Sequence, residues 1–454
     1  METIRARQAL LPDGWRDAVE IDIGDDGLIA EVRSGCELPA DTTACAVPAA
    51  ANLHSHTFQR ALAGLTERRG PDGQDSFWSW RRLMYTFLEQ LTPEDIEAIA
   101  ALAFMEMLEA GYGSVAEFHY LHHQPDGTPY GQLAETGRRI QAAALESGIG
   151  LTHLPVLYSR GGLDNRPLET AQQRFGNDLE RFARLLEDTA EGLKSLPEDA
   201  RLGLAPHSLR AVAPEALAQA SELRPTDPVH IHIAEQMAEV TAVEETYGRR
   251  PVDWLLDSLP VDARWCLVHA THMTPEETSA LAASGAVAGL CPITESNLGD
   301  GIFEGRAYTA AGGLFGIGTD SNVRIALSEE LRSLEYSQRL KDQGRVILAD
   351  GTRSAGRFLY ESSLAGGARA LGRACGALQA GYLADIVCLD GNSLALMGAR
   401  GDEILDTWIF AGDDCLVEDV WSAGRHIVQG GRHQARETIE ARYRAVLARL
   451  RASL

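Results

Sequence analysis

The chain has 454 residues, with 65 Asp and Glu against 41 Lys and Arg, for a formal charge of −24. That balance, without any lysine- or arginine-rich run, speaks against nucleic acid and anionic membranes as partners, and any anionic ligand must be held by specific arginines. No apolar run reaches the roughly 18 residues of a membrane span, and the opening METIRARQALLPDGW has no signal-peptide core.

Residues 1 to about 48 read as short strands broken by turns, as in Ala18–Ile23 followed by Gly24-Asp25-Asp26-Gly27. The same texture returns at Ala384–Asp390 and Val417–Val428. The two ends are therefore expected to assemble one small β-sandwich, from residues 1–48 and 376–431. Residues 432–454 form an arginine-rich amphipathic helix in this reading.

The middle, 49–375, alternates strand and helix. Apolar strands are expected to begin near Asn52, Val115, Leu151, Leu202, Val229, Trp265, Ala286 and Leu314. Thr92-Pro93-Glu94-Asp95 supplies an N-cap, a proline at the first helical position and an acidic residue three after the cap, with Gly111 as the stop. Thr274-Pro275-Glu276-Glu277 repeats that start, with Gly285 as the stop. Eight strands alternating with helices predict a closed (β/α)8 barrel. The seven cysteines are odd in number and lack CxxC spacing, which fits reduced thiols in a cytoplasmic protein.

Barrel active sites lie at the C-terminal strand ends. The first strand ends in His54-Ser55-His56, whose imidazoles share a face roughly 7 Å apart. The fifth ends in His232, with Glu235 three residues on. The sixth ends in His269 and the eighth in Asp320. A core histidine or a helix-capping aspartate would explain any one of them. Four strand ends agreeing on ligand or acid–base residues point instead to a metal-dependent hydrolytic site.

This arrangement resembles the amidohydrolase superfamily, and particularly its mononuclear deaminase branch, where HxxE follows strand five. Strand four ends Ala205-Pro206-His207 and lacks the lysine of binuclear members, so one metal is implied. Gly381–Val387 resembles the superfamily's returning sandwich strand. More narrowly, NLHSHTFQRALAGL, DSFWSWR, AEFHYLHH, HSLRAV, VHIHIAEQ, LVHATH, ESNLGDGIF and GTDS are similar to formimidoylglutamate deiminases. Those enzymes hydrolyse N-formimidoyl-L-glutamate to N-formyl-L-glutamate and ammonia in histidine breakdown. Two positions depart from the pattern, with Asn322 where a histidine is expected and Thr319 in place of a common serine.

The resemblance implies His54, His56, His232 and Asp320 as ligands of one divalent ion per subunit, zinc before iron(II), with one position left for water. Asp320 takes the water's proton, His269 orients the developing charge, and Glu235 carries a proton to the substrate nitrogen. Gln59, Arg81, Tyr120, His207 and Arg210 are placed at the end of the pocket that receives the substrate's two carboxylates. Two arginines suit a dicarboxylate that the protein's overall field repels. A homodimer is the family expectation. Two other readings remain: a deaminase of a cyclic amidine such as guanine or a purine nucleoside, and a non-catalytic metal-binding protein. The presence of both Glu235 and His269 beside the ligands speaks against the second.

Overall fold

The structure, a computed structural model, describes residues 2–65, 67 and 84–452. Four strands come first: β1 (Glu2–Leu11), β2 (Gly14–Ile23), β3 (Ile29–Arg33) and β4 (Cys45–Pro48). The barrel follows as β5 (Ala50–Ser55), β6 (Tyr112–His119), β7 (Gly150–Leu157), a split fourth strand β8 (Arg201–Leu202) and β9 (Ala205–Pro206), β10 (Val229–Ile233), β11 (Trp265–His269), β12 (Val287–Leu290) and β13 (Leu314–Ile317). The last strands are β14 (Ile386–Leu389), β15 (Val417–Ser422), β16 (Arg425–Gln429) and β17 (Arg432–His433).

Neighbouring barrel strands pair in parallel. The ring closes through single bridges. Leu204 with Val229 and Ser208 with His232 join the fourth strand to the fifth, and Ser55 with Asp320 joins the first to the eighth. Every residue of β6 and β7 is buried, as expected for strands covered on both faces. Glycine makes the last seam close enough. A Cβ at Gly318 would lie 2.7 Å from His54 Cβ, so only glycine lets the end of β13 lie against the histidine strand.

The helix signals in the sequence are met locally. Thr92 Oγ1 accepts from the Asp95 N–H at 3.2 Å while Asp95 Oδ2 accepts from the Thr92 N–H at 2.9 Å, and the helix Pro93–Glu109 follows. Thr274 and Glu277 make the same reciprocal pair ahead of Pro275–Ser284, and Gly285, at φ 81°, ends it in the left-handed region.

Strands from both chain ends form one eight-stranded mixed sheet in the order β17-β16-β15-β14-β4-β1-β2-β3. Its alternation feeds two cores. Val47, Val387 and Val420 belong to the core shared with the barrel, while Ala46, Ile386 and Cys388 join Ile4, Val19 and Ile21 in a second one. Asp199, beyond the helix Leu179–Leu193, accepts from Arg373 at 3.0 Å and from Arg425 at 2.8 Å, tying sheet to barrel. The terminal helix Arg436–Ala452 packs along Pro93–Glu109, and Arg442 lies 3.6 Å from Glu97.

Candidate active site

The C-terminal ends of β5, β10, β11 and β13 meet in one buried cluster. His54 Nε2 lies 3.0 Å from His232 Nε2, and His56 Nε2 lies 3.3 Å from it. Asp320 Oδ1 lies 3.3 Å from both His54 Nε2 and His56 Nε2. Unusual backbone aims these groups. Ala234 (φ 52°), His269 (φ 69°), Ala270 (φ 48°), Asp320 (φ 44°) and Asn322 (φ 53°) all adopt the left-handed conformation that non-glycine residues rarely take. Such residues cost on the order of 1–3 kcal/mol each, and they cluster where a site over-determines its geometry.

The donor set fits a divalent cation. The Nδ1 of His56 lies 2.9 Å from the Phe118 carbonyl, and that of His232 lies 3.1 Å from the His207 carbonyl. A carbonyl only accepts, so both rings carry their proton on Nδ1 and turn bare Nε2 lone pairs toward one another. Facing lone pairs repel unless a cation lies between them. Tetrahedral bonds of about 2.0–2.1 Å would separate ligand atoms by about 3.3 Å, the spacing seen here. Burial pushes His54 down to about 3 and lowers His56 and His232 as well, so all three are neutral at pH 7. Burial alone would raise Asp320, but the adjoining His54 imidazole and the field of the His269 cation hold it well below the usual carboxylate range. Three neutral nitrogens and one carboxylate leave a net charge that suits zinc or iron(II).

Glu235 and His269 sit beside the cluster. His269 Nε2 lies 3.8 Å from Glu235 Oε1, and its Nδ1 lies 3.3 Å from Glu295 Oε1. Glu295 is fixed in turn by the Cys291 N–H at 2.9 Å. Burial opposes a charge on His269, but Glu235, Glu295 and Asp320 outweigh it and push the imidazole up to about 10. Burial raises Glu235 above the ordinary carboxylate value.

The pocket over this cluster spans about 560 Å³, open solvent at its mouth included. Gln59, Tyr120, His207 and Arg210 all line it. Gln59 Nε2 donates to Tyr120 Oη at 3.1 Å. The His207 ring packs edge-on against Tyr158 with centroids 4.7 Å apart. Arg210 lies 3.6 Å from Glu235 Oε2. Arg81 falls outside the described residues. The lining also includes Tyr158, just past the end of β7, and Phe175, in the 3-10 turn Thr170–Phe175; neither carries a sequence signal beyond that of a packing aromatic. Glu295 lay inside the ESNLGDGIF motif, but its pairing with His269 comes from the fold.

Asn322 occupies a structural place behind the ligands. Its amide donates to Ser55 Oγ and to the Asp320 carbonyl, both at 3.1 Å, and accepts from Thr319 Oγ1 at 2.6 Å. Thr319 Oγ1 accepts from Asn52 at 2.7 Å, completing a clamp between the first and eighth strands.

The chain matches the model of the amidohydrolase family over residues 45–427 and that of the formimidoylglutamate deiminase HutF N-terminal domain over residues 1–42. It is 49% identical over 454 residues to a formimidoylglutamate deiminase of Pseudomonas aeruginosa, covering 99% of this chain and 100% of the relative. The crystal structure of an amidohydrolase from Brucella melitensis superposes with a TM-score of 0.94 at 49% identity, covering 99% of this chain and 100% of that one. An adenosine deaminase from Xanthomonas campestris with bound zinc shares the fold, with a TM-score of 0.82 at 21% identity over 99% of this chain and 98% of that one. The chain belongs to the amidohydrolase family, and within it to the formimidoylglutamate deiminases.

Proposed function

We propose that this protein hydrolyses N-formimidoyl-L-glutamate to N-formyl-L-glutamate and ammonia, a step of histidine degradation. One observation carries the reading: a single pocket joins a buried His/His/His/Asp cluster to a half-buried arginine, Arg210. The first suits hydrolysis of a C–N bond and the second suits a carboxylate.

His54, His56, His232 and Asp320 would hold one divalent ion, zinc before iron(II); the Xanthomonas campestris neighbour has zinc bound. When bound, such an ion lowers the pKa of a coordinated water toward about 7 and so supplies a nucleophile at neutral pH. The protein's own groups move the protons. The Asp320 carboxylate takes the proton that the attacking water gives up. Glu235, whose protonated form burial favours, gives its own proton to the amidine nitrogen and is recharged with the one held on Asp320. His269, held cationic by its carboxylate neighbours, faces the charge that develops on the attacking oxygen. The tetrahedral carbon then collapses: its hydroxyl proton passes to Asp320 as the C=O forms, Glu235 gives its proton to the leaving nitrogen, and the C–N bond breaks to release ammonia. Arg210, with Arg81, Gln59, Tyr120 and His207, receives the two carboxylates in this reading.

All seven cysteines are free thiols, which supports a reducing, cytoplasmic setting, and the working unit is taken as a homodimer. Among the described residues no helix is long and apolar enough to cross a membrane. The test is ammonia release from N-formimidoyl-L-glutamate, N-formimidoyl-L-aspartate and guanine. Turnover of the first alone supports the proposal. Turnover of guanine alone would move the protein to the purine-type deaminases, of which the adenosine deaminase neighbour is a distant example.

A further inference from the structure

Arg210 is held from two sides. One guanidinium nitrogen lies 3.6 Å from Glu235 Oε2, and Nε lies 3.6 Å from Glu239 Oε1. Glu239 is 3% exposed and is the third residue of the helix Met237–Tyr247. Its other oxygen, Oε2, accepts the backbone N–H of Glu235 at 3.2 Å. A single carboxylate thus touches both the backbone of the proton carrier and the arginine that faces the substrate. Neither Glu239 Oε1 nor Arg210 Nε makes a hydrogen bond among the described residues, although both are buried. A buried carboxylate left 3.6 Å short of its cation is expensive as a purely structural pair. Burial acts against the charge on Arg210, and Glu239 is the first-ranked group that offsets it, ahead of Glu235.

We propose that Glu239 is a positioning residue for this reaction: it holds the Arg210 guanidinium off Glu235, which leaves the cation free for a substrate carboxylate and the proton carrier unpaired. The proposal rests on the reading of Arg210 and Glu235 given above. Without the Glu239 charge, Arg210 has only Glu235 as a carboxylate counter-ion among the described residues and turns onto it. An incoming substrate carboxylate must then displace Glu235 from the cation, so the penalty falls on binding, and once substrate is bound the proton carrier is free again. Glu239 lines a second, solvent-open pocket, whose wall toward the substrate pocket is made by Arg210 and Tyr158. Arg210 therefore has room to swing, and a fixed counter-ion has a job to do there.

The plain alternative is that Glu239 merely caps its helix, since carboxylates favour the first turn and often accept a backbone N–H there. A double-mutant cycle separates the two. Steady-state kcat and KM for N-formimidoyl-L-glutamate are measured for the wild type, Glu239→Gln, Arg210→Ala and the double variant. The amide keeps an oxygen for the Glu235 N–H and removes only the charge. Glu239→Gln is expected to raise KM about tenfold while kcat stays within about threefold. In the Arg210→Ala background the same change should alter kcat/KM by less than about twofold. Additive penalties, a fall in kcat at constant KM, or no effect of Glu239→Gln would each overturn the proposal. If Arg210→Ala alone left kcat/KM unchanged, the substrate reading of Arg210 would fall instead, which is a separate and visible result. Should Glu239→Gln fail to fold, Glu239→Asp, which withdraws the same charge by one methylene, enters the same cycle with the same criteria.

Discussion

His56 and His232 approach each other through their Nε2 atoms at 3.3 Å, each having committed its Nδ1 proton to a backbone carbonyl. Two bare lone pairs at that distance make the metal-free fold electrostatically unfavourable at this point. Removing the ion with a chelator is expected to lower the thermal midpoint and abolish ammonia release, and zinc should restore both. At a free ion concentration 1,000 times Kd, linkage gives about 4 kcal/mol of stabilisation. His232→Ala should lose the bound ion, measured as metal per subunit, and with it the zinc-dependent rise in midpoint. Equal metal content in wild type and variant would remove His232 from the ligand set.

Glu235 faces both His269 and Arg210. Replacing it by glutamine keeps its shape and removes its proton. Glu235→Gln is expected to reduce kcat on N-formimidoyl-L-glutamate by about 10²–10⁴, while metal content stays at the wild-type level. Unimpaired ammonia release would leave the cluster in place but assign the proton to another group.

Asn322 carries three hydrogen bonds in a left-handed backbone position, where asparagine is tolerated better than alanine. Asn322→Ala leaves Ser55 Oγ and Thr319 Oγ1 without this partner, at a cost of about 1–3 kcal/mol per buried group. Because the clamp orients the Asp320 segment, metal affinity should also fall by about 10–100-fold. Isothermal titration of the apo protein with zinc measures the second effect. A variant that is destabilised yet binds zinc normally would limit Asn322 to a packing role.

Glu117 gives a pH signature directly behind the histidine strand. Burial pushes it up to about 7, although Thr57 N–H and Oγ1 donate to it at 2.8 and 2.7 Å. Because the folded pKa lies above the unfolded value of 4.5, the folded state binds more protons than the unfolded state between those limits. Stability therefore falls as pH rises from about 4.5 to about 7, by on the order of 3 kcal/mol, and is flat beyond that range. Glu117→Gln should remove this slope. The check is the difference in thermal midpoint between wild type and variant at pH 5 and pH 8, which should grow in favour of the variant at the higher pH.

What could be read from the sequence was local or periodic. The Thr92 and Thr274 caps, the eight strand starts and the histidines at strand ends each announce themselves within a few residues, and the observed strands begin within three residues of the expected positions. Pairings that depend on distant elements were not legible. Glu295 reaches His269 only because the short helix Pro292–Leu298 that follows β12 lies against the end of β11, and Glu239 reaches Arg210 only across the gap between the fourth and fifth strands. Asn322 was legible as a departure from a family pattern, but its clamp on Ser55 needs the closed barrel.

The seam at Ser55 and Asp320 has a consequence for biogenesis. His54 and His56 on the one hand and Asp320 on the other come from opposite ends of the barrel segment, so a ribosome must deliver almost the whole barrel before the four side chains can meet. An ion arriving earlier would meet at most a partial cluster. Loading would thereby be reserved for a polypeptide whose ring has already joined its two ends.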